Sequence, residues 1–499
     1  MKINKNEFYN KVLGCWMGKN IGGTLGAPIE WRRECHNFDF YIHDINGEPL
    51  PNDDLDLQLI WLFALQRYGA KVDAKILGEF WLNFQVAHYS EYGIAKANMR
   101  NGYMPPISGT LNNPFKDSCG SFIRSEIWAC VCAGNPDLAV KYCYEDSIVD
   151  HGNGEGTYAA MFTGAMEAAA FVESDFRKLI NIGLSYIPED CGTAKAIKTA
   201  IECYDKKIKW QDARDVILEN HRGCCFFNNL NAISQADIDK GFHTGQLGYD
   251  VPSNIAIIVA GMLYGEGDFD KTMCITVNMG EDTDCTAGTV GSIFGIIYGF
   301  DKIPQRWIEP IGHGIKTVCL NLGDMCQMTP VPQTVEELTD QTIEVAKRFS
   351  LEYGLIDIFT DEPTEIKPVE FKNNITPIDV LLPMNGPRYE HDIFVCSLEY
   401  EKHTIKVGEP VKVKLLFYNK ISNIPMNLTV SFIVDDSFSV SPADETTVLL
   451  AQTFIYPKAE VEFEITVDEA RRKYEAVVEI SVEGRFSKLY VPIIFAPEN

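Results

Sequence analysis

Residues 156–173 read GTYAAMFTGAMEAAAFVE. Alanine and glycine dominate the run, and no proline interrupts it. Small side chains let neighbouring helices approach closely, so it reads as a helix buried at the centre of a helical domain. Working outward, helical spacing of apolar residues recurs at 7–19, 55–68, 76–88 and 121–134 on one side. On the other it recurs at 174–183, 191–202, 211–221, 252–264, 270–278, 286–298 and 334–352. Strand-like alternation is almost absent, and residues 1–355 are expected to form one large all-α domain. The pattern then changes. Residues 356–389 hold Pro363, Pro368, Pro377, Pro383 and Pro387 and read as a linker. Beyond it, segments such as 411–418 (VKVKLLFY), 427–434 (NLTVSFIV), 460–467 (EVEFEITV) and 475–482 (EAVVEISV) follow one another with short breaks. Residues 390–499 are therefore expected to be a small, immunoglobulin-like β-sandwich. The fold class is mainly α.

Bulk properties narrow the function classes. The 499 residues are 46% hydrophobic, ample for packed cores and against extended disorder. A net charge of −26 disfavours nucleic acid and anionic membrane surfaces as partners. An anionic substrate would then need cations or backbone N–H groups at its site. The 15 cysteines include no CxxC pair, which removes the usual zinc and redox spacings. They are expected as buried free thiols of a cytoplasmic protein. The N-terminus shows no signal-peptide pattern, and no apolar run is long enough to span a membrane.

Four segments carry candidate chemistry. Residues 14–30, GCWMGKNIGGTLGAPIE, run from a helix into a glycine-rich turn that ends in the Glu30 carboxylate. Asn52-Asp53-Asp54 opens the helix at 55–68, where acidic residues also serve as ordinary caps. His151-Gly152-Asn153-Gly154 precedes the Ala-rich helix. Asp282-Thr283-Asp284-Cys285 enters the helix at 286–298. Aspartates two apart point to different faces of a regular helix, so they converge only if the backbone there is a loop or a helix start. Oxygen ligands from such a loop suit a hard cation.

In this order the segments resemble the ADP-ribosylglycohydrolase family, which includes the dinitrogenase-reductase-activating glycohydrolase and hydrolases of ADP-ribosylated arginine and serine. The resemblance covers roughly residues 8–350 and is most specific at 279–299, MGEDTDCTAGTVGSIFGIIYG, and at 22–30, GGTLGAPIE. It implies an all-α fold with a binuclear Mg²⁺ or Mn²⁺ site in a cleft. The family's first acidic motif falls on Asn52, Asp53, Asp54 and Leu55, and its second on Asp282, Thr283, Asp284 and Cys285. Asn52, Asp53, Asp54, Asp282, Asp284 and Cys285 are the metal ligands so implied. Glu30, Asp54 and Asp282 are the implied catalytic residues. The segment Gly248 to Asn254 resembles the loop whose tyrosine, here Tyr249, packs near the ribose. Cys119-Gly120-Ser121, before Arg124, resembles the phosphate-contacting turn. Gly120, Ser121, His151, Asn153 and Tyr249 are thus expected to bind substrate.

The motifs also depart from the family. Leu55 offers no ligand atom, Asn52 only a neutral oxygen, and the Cys285 thiol suits Mg²⁺ poorly. Asp56 has no family counterpart and is expected as an exposed helix residue. The resemblance implies removal of ADP-ribose from a modified substrate. Two alternatives stand beside it: a glycosidase or nucleosidase whose substrate lacks ADP, and a non-catalytic binding protein.

Overall fold

A computed structural model describes residues 2–222, 233–243, 250–325, 330–355, 358–365, 381–382, 384–421, 424–451 and 458–498. They group into two compact units. One comprises residues 1–97 and 108–378, the other 98–107 and 379–499.

The first unit is helical. Its expected central helix spans Glu155–Ala170, and nearly every residue from Gly156 onward is buried. Helices also form at Asp53–Tyr68, Ala74–Phe84, Val251–Gly265, Phe269–Asn278, Thr283–Tyr298 and Val335–Glu352, within a few residues of the expected bounds, and at Lys5–Gly26, which runs on past its expected end at residue 19. Several stretches differ. The expected helix at 121–134 is a 3₁₀ turn, Cys119–Arg124, followed by a short helix, Glu126–Val131. Helices Ser90–Arg100 and Pro136–Ser147 form where no helix was read. Residues 358–365, expected within the linker, return to the helical unit, where Phe359 and Thr360 pair in parallel with Ile3 and Asn4.

One helix pair positions the site. Helix Lys5–Gly26 carries Gly14, Gly18, Gly22 and Gly26 at four-residue spacing, so they form one stripe along the helix. The stripe lies directly against helix Thr283–Tyr298. A Cβ on Gly18 would collide with the Gly291 carbonyl, and one on Gly26 with the backbone of Thr283 and Asp284. Backbone-to-backbone packing of this kind is open only to glycine. It sets the end of the first helix, and hence Glu30, beside the start of the helix that carries Asp282 and Asp284.

The second unit contains two five-stranded sheets. One runs in the order Arg388–Glu390, Phe394–Tyr400, Val411–Asn419, Lys458–Val467, Phe438–Ser441. The other runs Thr404–Ile405, Lys488–Pro497, Tyr474–Val482, Met426–Ile433, Glu445–Leu450. Leu398, Val413 and Leu415 of the first sheet share a buried cluster with Val430, Ile480 and Ile493 of the second. Buried and more exposed residues alternate along Met426–Ile433, as a strand with one face on a core requires. Among the described residues no helix is long and apolar enough to cross a membrane.

Candidate active site

The two acidic motifs meet. Asp282 is the N-cap of helix Thr283–Tyr298, and Asp284 lies in its first turn. The helix start, not its body, therefore resolves the two-residue spacing. Asn52 caps helix Asp53–Tyr68, accepting a hydrogen bond from the Asp54 N–H at 2.7 Å. Its amide nitrogen donates to Asp284 Oδ2 at 3.1 Å and so ties the two helix starts together. Asn52 thus presents a donor toward the acidic cluster while its oxygen serves the cap, a supporting position in place of the expected ligand position. Glu30 follows the 3₁₀ turn Ala27–Ile29 and completes the group.

A cleft of about 630 Å³ opens at this point. Glu30, Asp53, Asp282, Asp284 and Cys285 line it on one side. Carboxylate oxygens of Glu30, Asp282 and Asp284 lie within 4.8 Å of one another, as do ligand atoms of Asp54, Asp284 and Cys285. Burial and mutual repulsion favour the protonated forms. Burial, then Asp284, Asp53 and Asp54, push Glu30 up to about 10. Burial and Asp284 raise Asp53 to about 6. Burial raises Asp282 well above the carboxylate range, with Asp284 and Glu30 adding to it. Burial raises Asp54 too, against the opposing pull of Lys19. Among the described residues no donor reaches the buried Asp282 Oδ1 or Asp284 Oδ1. Crowded carboxylates with buried oxygens that no donor reaches are costly in a folded interior unless a proton or a cation joins them. The donor set therefore fits a divalent ion, and Asp54, Asp282, Asp284 and Cys285 are the residues placed to hold one, with Asp53 and Glu30 beside them.

One positive charge is already built in. Lys19, buried in the first helix, lies 3.4 Å from Asp54 Oδ2 and 2.7 Å from Glu126 Oε1. Burial alone would lower its pKa, but Glu126 and Asp54 outweigh burial and keep it protonated.

The opposite wall was only partly legible. Gly120 lines the cleft, and a side chain there would collide with the Glu91 carboxylate and crowd the His151 ring. Ser121 does not line it; its hydroxyl donates to the Gly156 carbonyl at 2.5 Å in the core. His151 is fully buried behind the wall, with Nδ1 2.8 Å from Asp150 Oδ1 and Nε2 3.2 Å from Ser118 Oγ. Asn153 also lies outside the lining, and its Oδ1 accepts from the Tyr144 hydroxyl at 3.0 Å. These three residues were expected to touch substrate; their polar atoms instead brace the wall. Tyr249 lies outside the described residues. Arg124 anchors the brace. Its guanidinium donates to both oxygens of Asp150, to Asp146 and to the Gly120 carbonyl. Burial would raise Asp150, but Arg124 and His151 hold it down at about 2.

The residues missed in the sequence are Trp31, Tyr89, Glu91, Tyr92, Phe115 and Ser118. Tyr92 donates to Asp53 Oδ2 at 3.2 Å. Trp31 has a φ of 67° and is 51% exposed. That conformation is uncommon for a bulky residue and is typical of functional sites. The available signal was Tyr89-Ser90-Glu91-Tyr92, aromatics flanking an acid at a helix start.

Asp56 corrects another expectation. It is fully buried and accepts the N–H groups of Val318 and Cys319 at 2.6 and 2.7 Å. Burial raises it to about 7 despite those bonds. The folded chain then binds this proton more tightly than the unfolded chain, so Asp56 costs stability as pH climbs from about 4 to 7. Asp56→Asn should gain on the wild type in thermal stability between pH 5 and pH 8. A difference independent of pH would show that Asp56 does not titrate there.

A model of the ADP-ribosylglycohydrolase family matches residues 4–347. The chain belongs to the ADP-ribosylglycohydrolase family. An uncharacterized protein of Archaeoglobus fulgidus is 23% identical to this chain over 311 residues, which is 60% of this chain and 90% of that protein. ADP-ribosylarginine hydrolase Tri1 of Serratia proteamaculans is 31% identical over 49 residues, 10% of this chain and 13% of Tri1. A solved ADP-ribosylglycohydrolase-related protein complex aligns with 68% of this chain and 99% of its own, at 16% identity and a TM-score of 0.45. The family model's match, residues 4–347, includes both acidic motifs and ends before the strands that begin at Arg388.

Proposed function

We propose that the cleft hydrolyses the glycosidic bond of a ribosyl group and removes ADP-ribose from a modified substrate with the help of Mg²⁺ or Mn²⁺. The observation that carries this reading is the meeting of Glu30, Asp53, Asp282 and Asp284 in the lining of one cleft, with Asp54 beside Asp284. Family membership supports it, and so does the short likeness to an ADP-ribosylarginine hydrolase. A divalent ion held by the aspartates would supply positive charge to orient ribose hydroxyls and acidify water.

The remaining work falls to the chain. Glycosidic cleavage passes through an oxocarbenium-like state, so the leaving atom needs a proton and the opposite face of the sugar needs an oriented water. Glu30 holds a proton beside the cluster, where burial, with Asp284 and Asp53 adding to it, favours its protonated form. Asp282 and Asp284 stand beside Glu30, within 4.8 Å, and Asp54 stands beside Asp284; these carboxylates orient the water. Tyr89, Tyr92 and Phe115 form an apolar wall that excludes bulk solvent and offers faces for stacking a base. Glu30→Gln should keep cation binding at Asp54, Asp284 and Cys285 and lower turnover of an ADP-ribosylated arginine peptide by roughly 10²–10⁴-fold. Full turnover in this variant would remove Glu30 from the mechanism.

A second reading, a glycosidase or nucleosidase acting on a substrate without ADP, is favoured by one observation. Among the described residues lining the cleft there is no lysine or arginine, and Arg124 is spent on Asp146, Asp150 and Gly120. A diphosphate would have to rely on backbone N–H groups and bound cations. Adenosine binding as tightly as ADP-ribose would select this reading.

A further inference from the structure

Cys285 faces the acidic cluster in a particular way. Its thiol donates to Asp54 Oδ1 at 3.5 Å, while the other oxygen of Asp54 faces Lys19. The two edges of Asp54 are thus sorted, one toward a fixed ammonium and one toward sulfur. The Cys285 sulfur and carboxylate oxygens of Asp54 and Asp284 lie within 4.8 Å of one another. Asp284 is 4% exposed, and no described donor reaches its Oδ1. Cys285 also lines the cleft, so a cation arriving through it reaches the sulfur directly. Leu55, buried in the first turn of its helix, adds no ligand atom. The second group, Glu30, Asp282 and Asp284, offers oxygen only and shares Asp284 with the first. The two subsites therefore differ in softness.

Resting on the metal-dependent reading above, we infer that the Asp54–Asp284–Cys285 subsite binds a borderline divalent cation, such as Co²⁺, Zn²⁺ or Fe²⁺, through the Cys285 sulfur in preference to Mg²⁺. On ligation the S–H bond breaks, its electron pair forms the sulfur–metal bond, and the proton leaves to water. Thiolate ligands select such ions, whereas all-oxygen sites suit Mg²⁺ and Mn²⁺.

The test uses Co²⁺ as the probe on the full-length, metal-stripped chain, with bound cobalt measured by equilibrium dialysis and the near-ultraviolet spectrum recorded. The wild type should show a sulfur-to-cobalt charge-transfer band that resists a large excess of Mg²⁺. Cys285→Ser and Cys285→Thr should lose the band, and Mg²⁺ should displace their cobalt at a concentration at least about tenfold lower, equivalent to about 1.4 kcal/mol. Cys119→Ser, which removes the other thiol of the cleft, should keep the band. Bound cobalt without the band, or a band lost only in Cys119→Ser, would overturn the inference and leave the metal-dependent reading standing. A folded wild type that binds no cobalt or Mg²⁺ at all would overturn both.

Discussion

Replacing Asp282 and Asp284 together by alanine is expected to abolish divalent-cation binding and lower hydrolysis by roughly 10³-fold or more. The two side chains belong to both ligand groups through Asp284 and carry buried oxygens with no described donor. The same variant should be no less stable than the wild type once metal is removed. In the metal-free wild type these carboxylates repel each other and Glu30, and burial raises Asp282 and Glu30 out of their normal range. Deleting them relieves that repulsion. Metal addition should therefore raise the melting temperature of the wild type and leave the variant unmoved. Thermal scans with and without Mn²⁺ read both effects. A variant that melts far below the metal-free wild type would show that the aspartates support the fold instead of a cation.

Arg124→Leu is expected to carry the largest stability loss of any single change near the cleft, about 3–5 kcal/mol. Arg124 is fully buried and pairs with Asp146 and Asp150, with Oδ1 contacts at 2.8 and 2.6 Å. Its guanidinium also lies over the Trp81 ring, 4.8 Å from the centroid. Leucine would leave two carboxylates buried without their cation. The damage would pass from Asp150 to His151 and from the Gly120 carbonyl to the cleft wall. The double variant Arg124→Leu with Asp150→Asn should recover part of the loss, because the more strongly ionised partner is then neutral. Urea unfolding of wild type, single and double variants reads the loss and the rescue. An Arg124→Leu protein within about 1 kcal/mol of wild type would mean that the network contributes little.

Much of the helical unit was legible because its signals are local. Apolar periodicity located helices such as 251–265 and 335–352 to within a few residues. The Asp282–Asp284 spacing required a loop or a helix start, and Asp282 is the N-cap. What was not legible depends on direction and distance. The sequence presents His151 and Asn153 in a glycine-rich loop, but nothing local tells that Asp150, Ser118 and Tyr144 will claim their polar atoms. Asp56 looked like a surface acid because its partners, Val318 and Cys319, are more than 260 residues away in a segment without regular structure. The aromatic wall was missed because Ser90–Arg100 is a short, polar helix whose first turn serves the cleft. Glycine spacing in the first helix carried a readable stripe, yet its partner stripe in Thr283–Tyr298 emerges only when the two helices are placed together.

The most direct test is calorimetric titration of ADP-ribose into the full-length protein, once with Mn²⁺ and once after metal removal. The expected result is saturable binding with Mn²⁺ that disappears on chelation and in the Asp282→Ala, Asp284→Ala variant. No heat of binding from a folded, Mn²⁺-loaded wild type would contradict the assignment of this cleft to ADP-ribose.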